Sequence, residues 1–70
     1  MALKKRSFSL SGHRTSIALE PEFWTVLEGE AATNNQSLAA LVAQIDGNRG
    51  IHPLASALRL HALMAAKKTF

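Results

Sequence analysis

Apolar and polar residues alternate along the N-terminal part of the chain and then change period. From Arg14 to Leu19, Thr15, Ile17 and Leu19 fall on one side and Arg14, Ser16 and Ala18 on the other, the pattern of a strand with one face toward a core. Lys4 to Leu10 alternates too, with Arg6, Phe8 and Leu10 on one side and Lys5, Ser7 and Ser9 on the other; Ser11-Gly12 between the runs is a turn signal. The first run is either a strand folded back on the second or a basic arm. The exposure that Phe8 and Leu10 would otherwise suffer favours the strand. A lone strand leaves its backbone groups unpaired, so the second run needs a strand partner.

At Glu20-Pro21-Glu22 the period becomes 3.6. Proline at the first helical position loses no needed hydrogen bond, and acids there complement the positive end of the helix dipole. The spacing predicts a helix from Pro21 to Thr33, with Phe23, Trp24, Val26, Leu27, Ala31 and Ala32 apolar. Asn34-Asn35 suits a left-handed close. Ser37 then caps a second helix from Leu38 to about Asp46, with Leu38, Leu41, Val42 and Ile45 apolar and Gly47 as its end. His52-Pro53 opens and caps a third helix to about Ala66. Its Leu54, Ala57, Leu58, Leu60, Ala62, Leu63 and Met64 cover more than one face, which predicts burial on two sides. The fold class is mainly α with a short N-terminal β-ribbon. One domain spans 1–70: a basic arm or extra strand over 1–12, a ribbon strand over 13–19, a helix pair over 20–46 and a C-terminal helix over 53–66.

Seventy residues with no internal repeat fit a single domain. A chain this short buries a small fraction of its surface and usually relies on disulfides, a metal or oligomerisation. It has no cysteine, and His13, His52 and His61 lie in separate segments with no carboxylate at ligand-like spacing. Oligomerisation is therefore the expected remedy, with no metal and no cofactor. No stretch is long and apolar enough to cross a bilayer, and the expected setting is a prokaryotic-style cytoplasm.

The charge of +3 is unevenly spread. Residues 1–14 carry Lys4, Lys5, Arg6 and Arg14 and no acid; residues 15–46 carry Glu20, Glu22, Glu28, Glu30 and Asp46 and no Lys or Arg; residues 47–70 return to Arg49, Arg59, Lys67 and Lys68. The split suits either a surface for a polyanion or two solvated basic ends.

Thr15-Ser16-Ile17-Ala18-Leu19, Glu20-Pro21-Glu22-Phe23-Trp24 with Leu27, and Asn35-Gln36-Ser37 through Val42 together resemble the ribbon-helix-helix family of DNA-binding proteins, the β-ribbon readers that include MetJ and Arc. GHRTSIALEPEFW followed by SLAALVAQID and SALRL is similar to a bacterial subfamily of small single-domain members. The resemblance covers residues 4–64. It implies an intertwined homodimer whose ribbons pair antiparallel and enter the major groove of double-stranded DNA. It places Arg14, Ser16 and Ala18 at base edges, and Lys4, Lys5, Arg6, His13, Ser37 and Leu38 at phosphates, the last two through a helix N-terminus. It also implies a dimer core of Ile17, Leu19, Phe23, Trp24, Leu27, Leu41, Val42, Ile45 and Leu58. Ala18 stands where the family usually carries a polar or basic reader, and the third helix and possible extra strand exceed the minimal fold.

The function so implied is sequence-specific DNA binding by a dimeric transcriptional regulator or autoregulator. The competing reading is a protein-interaction module, an antitoxin-like or adaptor subunit that binds a protein partner and has at most nonspecific DNA affinity. Catalysis is not expected: no nucleophile sits in a glycine-framed turn and no phosphate loop or metal-ligand pair is present.

Overall fold

The two alternating runs pair with each other. The computed structural model describes residues 2–67, and in it β1 (Lys4–Leu10) and β2 (His13–Leu19) form a two-stranded antiparallel sheet. Leu10 faces His13 across a two-residue turn. Ser11 and Gly12 sit at φ 51° and 80°, and two positive values in succession belong to the primed turn whose twist matches that of the strands. β2 thus takes its strand partner from its own chain, whereas the resemblance implies a partner strand from a second chain. The physical reason is the turn: two residues able to hold left-handed angles return the chain at once, with almost no loop to close.

Three helices follow: α1 (Pro21–Thr33), α2 (Leu38–Asn48) and α3 (Leu54–Lys67). α1 closes with Asn35 at φ 55°, the Asn35 N–H donating to the Ala32 carbonyl at 3.1 Å and the Gln36 N–H to the Ala31 carbonyl at 2.9 Å. Those two bonds make a Schellman close and satisfy carbonyls that the helix end would leave unpaired. Ser37 caps α2 by accepting from the Ala40 N–H at 3.0 Å. The expected end of α2 needs correction. Gly47 lies inside the helix; Asn48 extends it, its side-chain Nδ2 donating to the Gln44 carbonyl at 2.9 Å, and the left-handed position falls to Gly50 at φ 61°. His52 does not open α3 either, because the Pro53 carbonyl already accepts the first bond from Ala57 at 3.0 Å.

The core is one cluster drawn from every element. Phe8 and Leu10 come from β1, Ile17 and Leu19 from β2, Trp24, Leu27 and Ala31 from α1, Leu41, Val42 and Ile45 from α2, and Leu58 and Ala62 from α3. Phe23 packs against it, half-buried. Every residue the resemblance assigns to a dimer core is therefore in or against the core of a single chain. α3 differs from its expectation of two buried sides. Leu58 and Ala62 face inward, while Leu60, Leu63 and Met64 remain 54%, 51% and 60% exposed. Within one chain the sheet and two other helices cover only one side of it.

Candidate nucleic-acid interface

Strand pleating gives the hairpin two unlike faces. Residues directly opposite share a face, so the register places Phe8 with Thr15, Arg6 with Ile17, Lys4 with Leu19 and Leu10 with His13 on the side that covers the core. Lys5 opposite Ala18, Ser7 opposite Ser16, and Ser9 opposite Arg14 form three rungs on the other side. All six are exposed except Ala18, which is partly so. The serine hydroxyls of the middle rung hydrogen-bond at 2.8 Å, and Arg14 Nη1 reaches Ser9 Oγ at 3.5 Å.

The inward face is anchored by Trp24. Its indole N–H donates to the Lys4 carbonyl at 2.8 Å, its ring lies 5.9 Å from that of Phe8, and the Arg6 guanidinium sits 5.3 Å above it. Arg6 also pairs with Glu28 at 3.1 Å. Arg6 is therefore engaged at the junction of β1 and α1, under the hairpin rather than on its open face. His13 is exposed beside the turn, and Lys4 is exposed at the far end.

Ion pairing separates the cations into two groups. Arg6 pairs with Glu28, Arg49 with Asp46 at 2.8 Å, and Arg59 with Glu20 at 2.9 Å. His61 Nε2 meets Glu30. Among the described residues, Lys4, Lys5, Arg14 and Lys67 make no ion pair, and three of these four stand on the hairpin, which has no acidic residue. Of the acids, Glu28 pairs with Arg6 on the inner face of β1, and Glu20, Glu30 and Asp46 pair within the helical body. Glu20 registers its partner: its carboxyl is held below the usual value chiefly by the hydrogen bond from Arg59, then by its own backbone N–H, against a smaller opposing effect of desolvation.

The N-terminus of α2, at Ser37 and Leu38, offers backbone N–H groups beyond the one that Ser37 itself satisfies. Between α2 and α3 lies a groove of about 450 Å³, lined by Ile45, Arg49, His52, Leu60, His61 and Met64 among others. Ile51 stands 97% exposed in the α2–α3 connection. Among the described residues no group of three His, Cys, Asp or Glu side chains could hold a metal ion, and no helix is long and apolar enough to cross a membrane.

A two-stranded antiparallel ribbon with a polar, acid-free outer face, carried on a small helical body, is the architecture of the β-ribbon class. A family model described as a ribbon-helix-helix domain matches residues 3–66, and the chain belongs to that family. Its members are in general DNA-binding transcription regulators or antitoxins, typically non-enzymatic and dimeric. No curated protein and no solved structure matches the chain.

Sequence reasoning placed Arg14, Ser16 and Ala18 on the outer face, where they are found, but assigned no role to Ser7 or Ser9 and put Lys5 among nonspecific contacts. A signal was present. Lys5-Arg6-Ser7-Phe8-Ser9-Leu10 and Arg14-Thr15-Ser16-Ile17-Ala18-Leu19 repeat each other at an offset of nine: cation, polar, serine, apolar, small, leucine. The chain does contain an internal repeat, one strand long, too short for a search at domain scale.

Proposed function

We propose that this protein is a sequence-selective, cytoplasmic DNA-binding regulator that inserts its ribbon into the major groove. The observation that carries the proposal is the sorting of charge: Glu28, Asp46 and Glu20 neutralise Arg6, Arg49 and Arg59 against the helical body, while Lys5 and Arg14 stand unpaired on the outer face of the hairpin. A ribbon of this width fits the major groove. Arg14 donates to guanine, Ser16 bonds to whichever base edge it meets, and Ala18 touches a thymine methyl. Lys4, His13 and the α2 N-terminus at Ser37 and Leu38 hold phosphates and fix the register.

The protein acts as a homodimer through the exposed apolar side of α3. Leu60, Leu63 and Met64, with Ile51 nearby in sequence, are the side chains a second copy would cover. A second reading rests on Leu60 and Met64, which also line the groove beside α2: the groove seats a different protein, and affinity for DNA is only nonspecific.

The test is binding of the purified protein to its own upstream DNA and to a scrambled duplex across a salt series, with molecular mass measured by light scattering. The expected result is a dimer that prefers the upstream duplex and weakens steeply with salt, the slope falling by about 0.9 for each phosphate contact removed. Equal, weak binding to both duplexes overturns the regulator. A monomer at all concentrations removes the second copy from α3 and moves the weight to a different protein in the groove.

A further inference from the structure

We infer that one chain carries a complete, pseudo-symmetric reading ribbon, in which β1 replaces the strand that a second copy would otherwise contribute. The inference rests on the DNA-binding proposal above and extends it to Lys5, Ser7 and Ser9. A ribbon built from two identical strands has a two-fold axis between them, so each reader appears twice, once at either end. The hairpin reproduces that arrangement from unlike strands.

In the antiparallel register the axis passes through the Ser7–Ser16 rung. Rotation about it carries Lys5 onto Arg14, Ser7 onto Ser16 and Ser9 onto Ala18, the same correspondences as the nine-residue repeat. The buried positions obey it too, Phe8 falling on Ile17 and Leu10 on Leu19, and all four are in the core. Two independent observations therefore coincide: the repeat in the sequence and the symmetry of the pairing. A register shifted by two residues would preserve the faces and destroy the correspondence.

The chemistry of the outer face follows from this geometry. Lys5 and Arg14 lie at opposite ends of the ribbon and on opposite strands, each beside a small residue, Ala18 or Ser9. Alternate residues of a strand are roughly 7 Å apart. The outer rungs are thus separated by roughly 14 Å, about four base-pair steps at 3.4 Å each. Both lysine and arginine donate to the O6 and N7 of guanine. The ligand is a short duplex unit with a guanine toward each end, nearly palindromic but unequal, because arginine donates through a rigid fork and lysine through a single flexible ammonium.

The Ser7–Ser16 hydrogen bond has a place in this scheme. Each hydroxyl retains hydrogen-bonding capacity beyond the bond to its partner, so the central rung meets a donor or an acceptor without strong preference. Discrimination is concentrated at the two ends.

The experiment is selection from a randomised duplex pool with the full-length protein and with Lys5→Ala, Arg14→Ala and Lys5→Arg, followed by affinity measurements on the enriched duplexes. The expected wild-type result is an unequal unit of about five base pairs, present once or as two inverted copies. Lys5→Ala relaxes one end of that unit and Arg14→Ala the other, each by on the order of tenfold or more in base preference. Lys5→Arg gives both ends the same cation and leaves only Ala18 against Ser9 to distinguish them, so the enriched unit becomes closer to a palindrome.

Two results overturn the inference and leave the DNA-binding proposal intact. In one, Lys5→Ala weakens all duplexes equally and leaves the enriched sequence unchanged, as loss of a phosphate contact would. In the other, the unit is a true palindrome whose two ends both relax in Arg14→Ala, as they would in a ribbon shared by two copies. Failure of the wild-type protein to enrich any sequence overturns the DNA-binding proposal and the inference together.

Discussion

The two faces of the hairpin share one backbone and differ in almost everything else. On the inner face Phe8, Leu10, Ile17 and Leu19 are buried, and Arg6, the cation most closely applied to the body, is neutralised by Glu28 and laid over Trp24. On the outer face Lys5 and Arg14 have no acid partner, and the serine hydroxyls contact only neighbours on the same face. Strand alternation is what permits this: successive side chains point apart, so fold stability and recognition can be assigned to alternate residues. Substitutions on one face should change unfolding, and on the other should change DNA binding.

The largest effect is expected from removing the anchor of the inner face. Trp24→Ala deletes a buried ring, the contact with Phe8 and the hydrogen bond to Lys4, and is expected to destabilise the fold by about 3–5 kcal/mol in urea unfolding. In a chain of 70 residues that is a large part of the stability available. DNA selectivity should disappear with it. A loss below about 1 kcal/mol would mean that the hairpin is held by something other than this tryptophan.

Arg14→Ala probes the outer face. It is expected to lower affinity for the preferred duplex by about 1–3 kcal/mol while shifting unfolding by no more than about 0.5 kcal/mol, the range of an exposed substitution. Fluorescence titration and urea unfolding on the same preparation read both quantities. An unchanged affinity would remove Arg14 from the interface. A change in both would show that the faces are not separable.

The parts of this arrangement that depend on local chemistry were legible in the sequence. Proline and two glutamates set the start of α1, Asn34-Asn35 its close, Ser37 the start of α2 and Ser11-Gly12 the turn. Each acts within a few residues of itself, and each element stands where those signals put it. The end of α2 was misplaced because Gly47 and Gly50 are both plausible terminators, and only the three-dimensional path selects Gly50 for the left-handed angle. The long-range ion pairs had no local signature: Arg6 to Glu28 and Arg59 to Glu20 join residues 22 and 39 positions apart. The charge blocks were visible, but which cations remain unpaired depends on those contacts. The readers of β1 were overlooked for a different reason. Their significance lies in their match to β2, which becomes evident only when the register brings equivalent residues to opposite ends of one ribbon.

The smallest effect tests the contrast from the side of the paired cations. Arg59 on α3 donates through Nε to Glu20, which precedes α1 directly after the ribbon. Glu20 is held below its ordinary pKa first by that hydrogen bond. A carboxyl with a depressed folded-state pKa adds stability that is fully present above its unfolded value and is lost as pH falls through the folded one. Both side chains are about one-third exposed, so the contribution is small and weakened by salt. Wild type and Arg59→Gln should therefore differ modestly at neutral pH and low salt, the wild type unfolding later. The gap should close as pH falls through the acidic range. Because Arg59 is on neither face of the ribbon, its replacement should leave the enriched DNA sequence unchanged, in contrast to Arg14→Ala. Parallel unfolding curves for the two proteins at every pH would show that the pair adds nothing to the fold. A changed DNA preference in Arg59→Gln would show that charge neutralised in the body still reaches the groove, and the division between paired and free cations would lose its functional meaning.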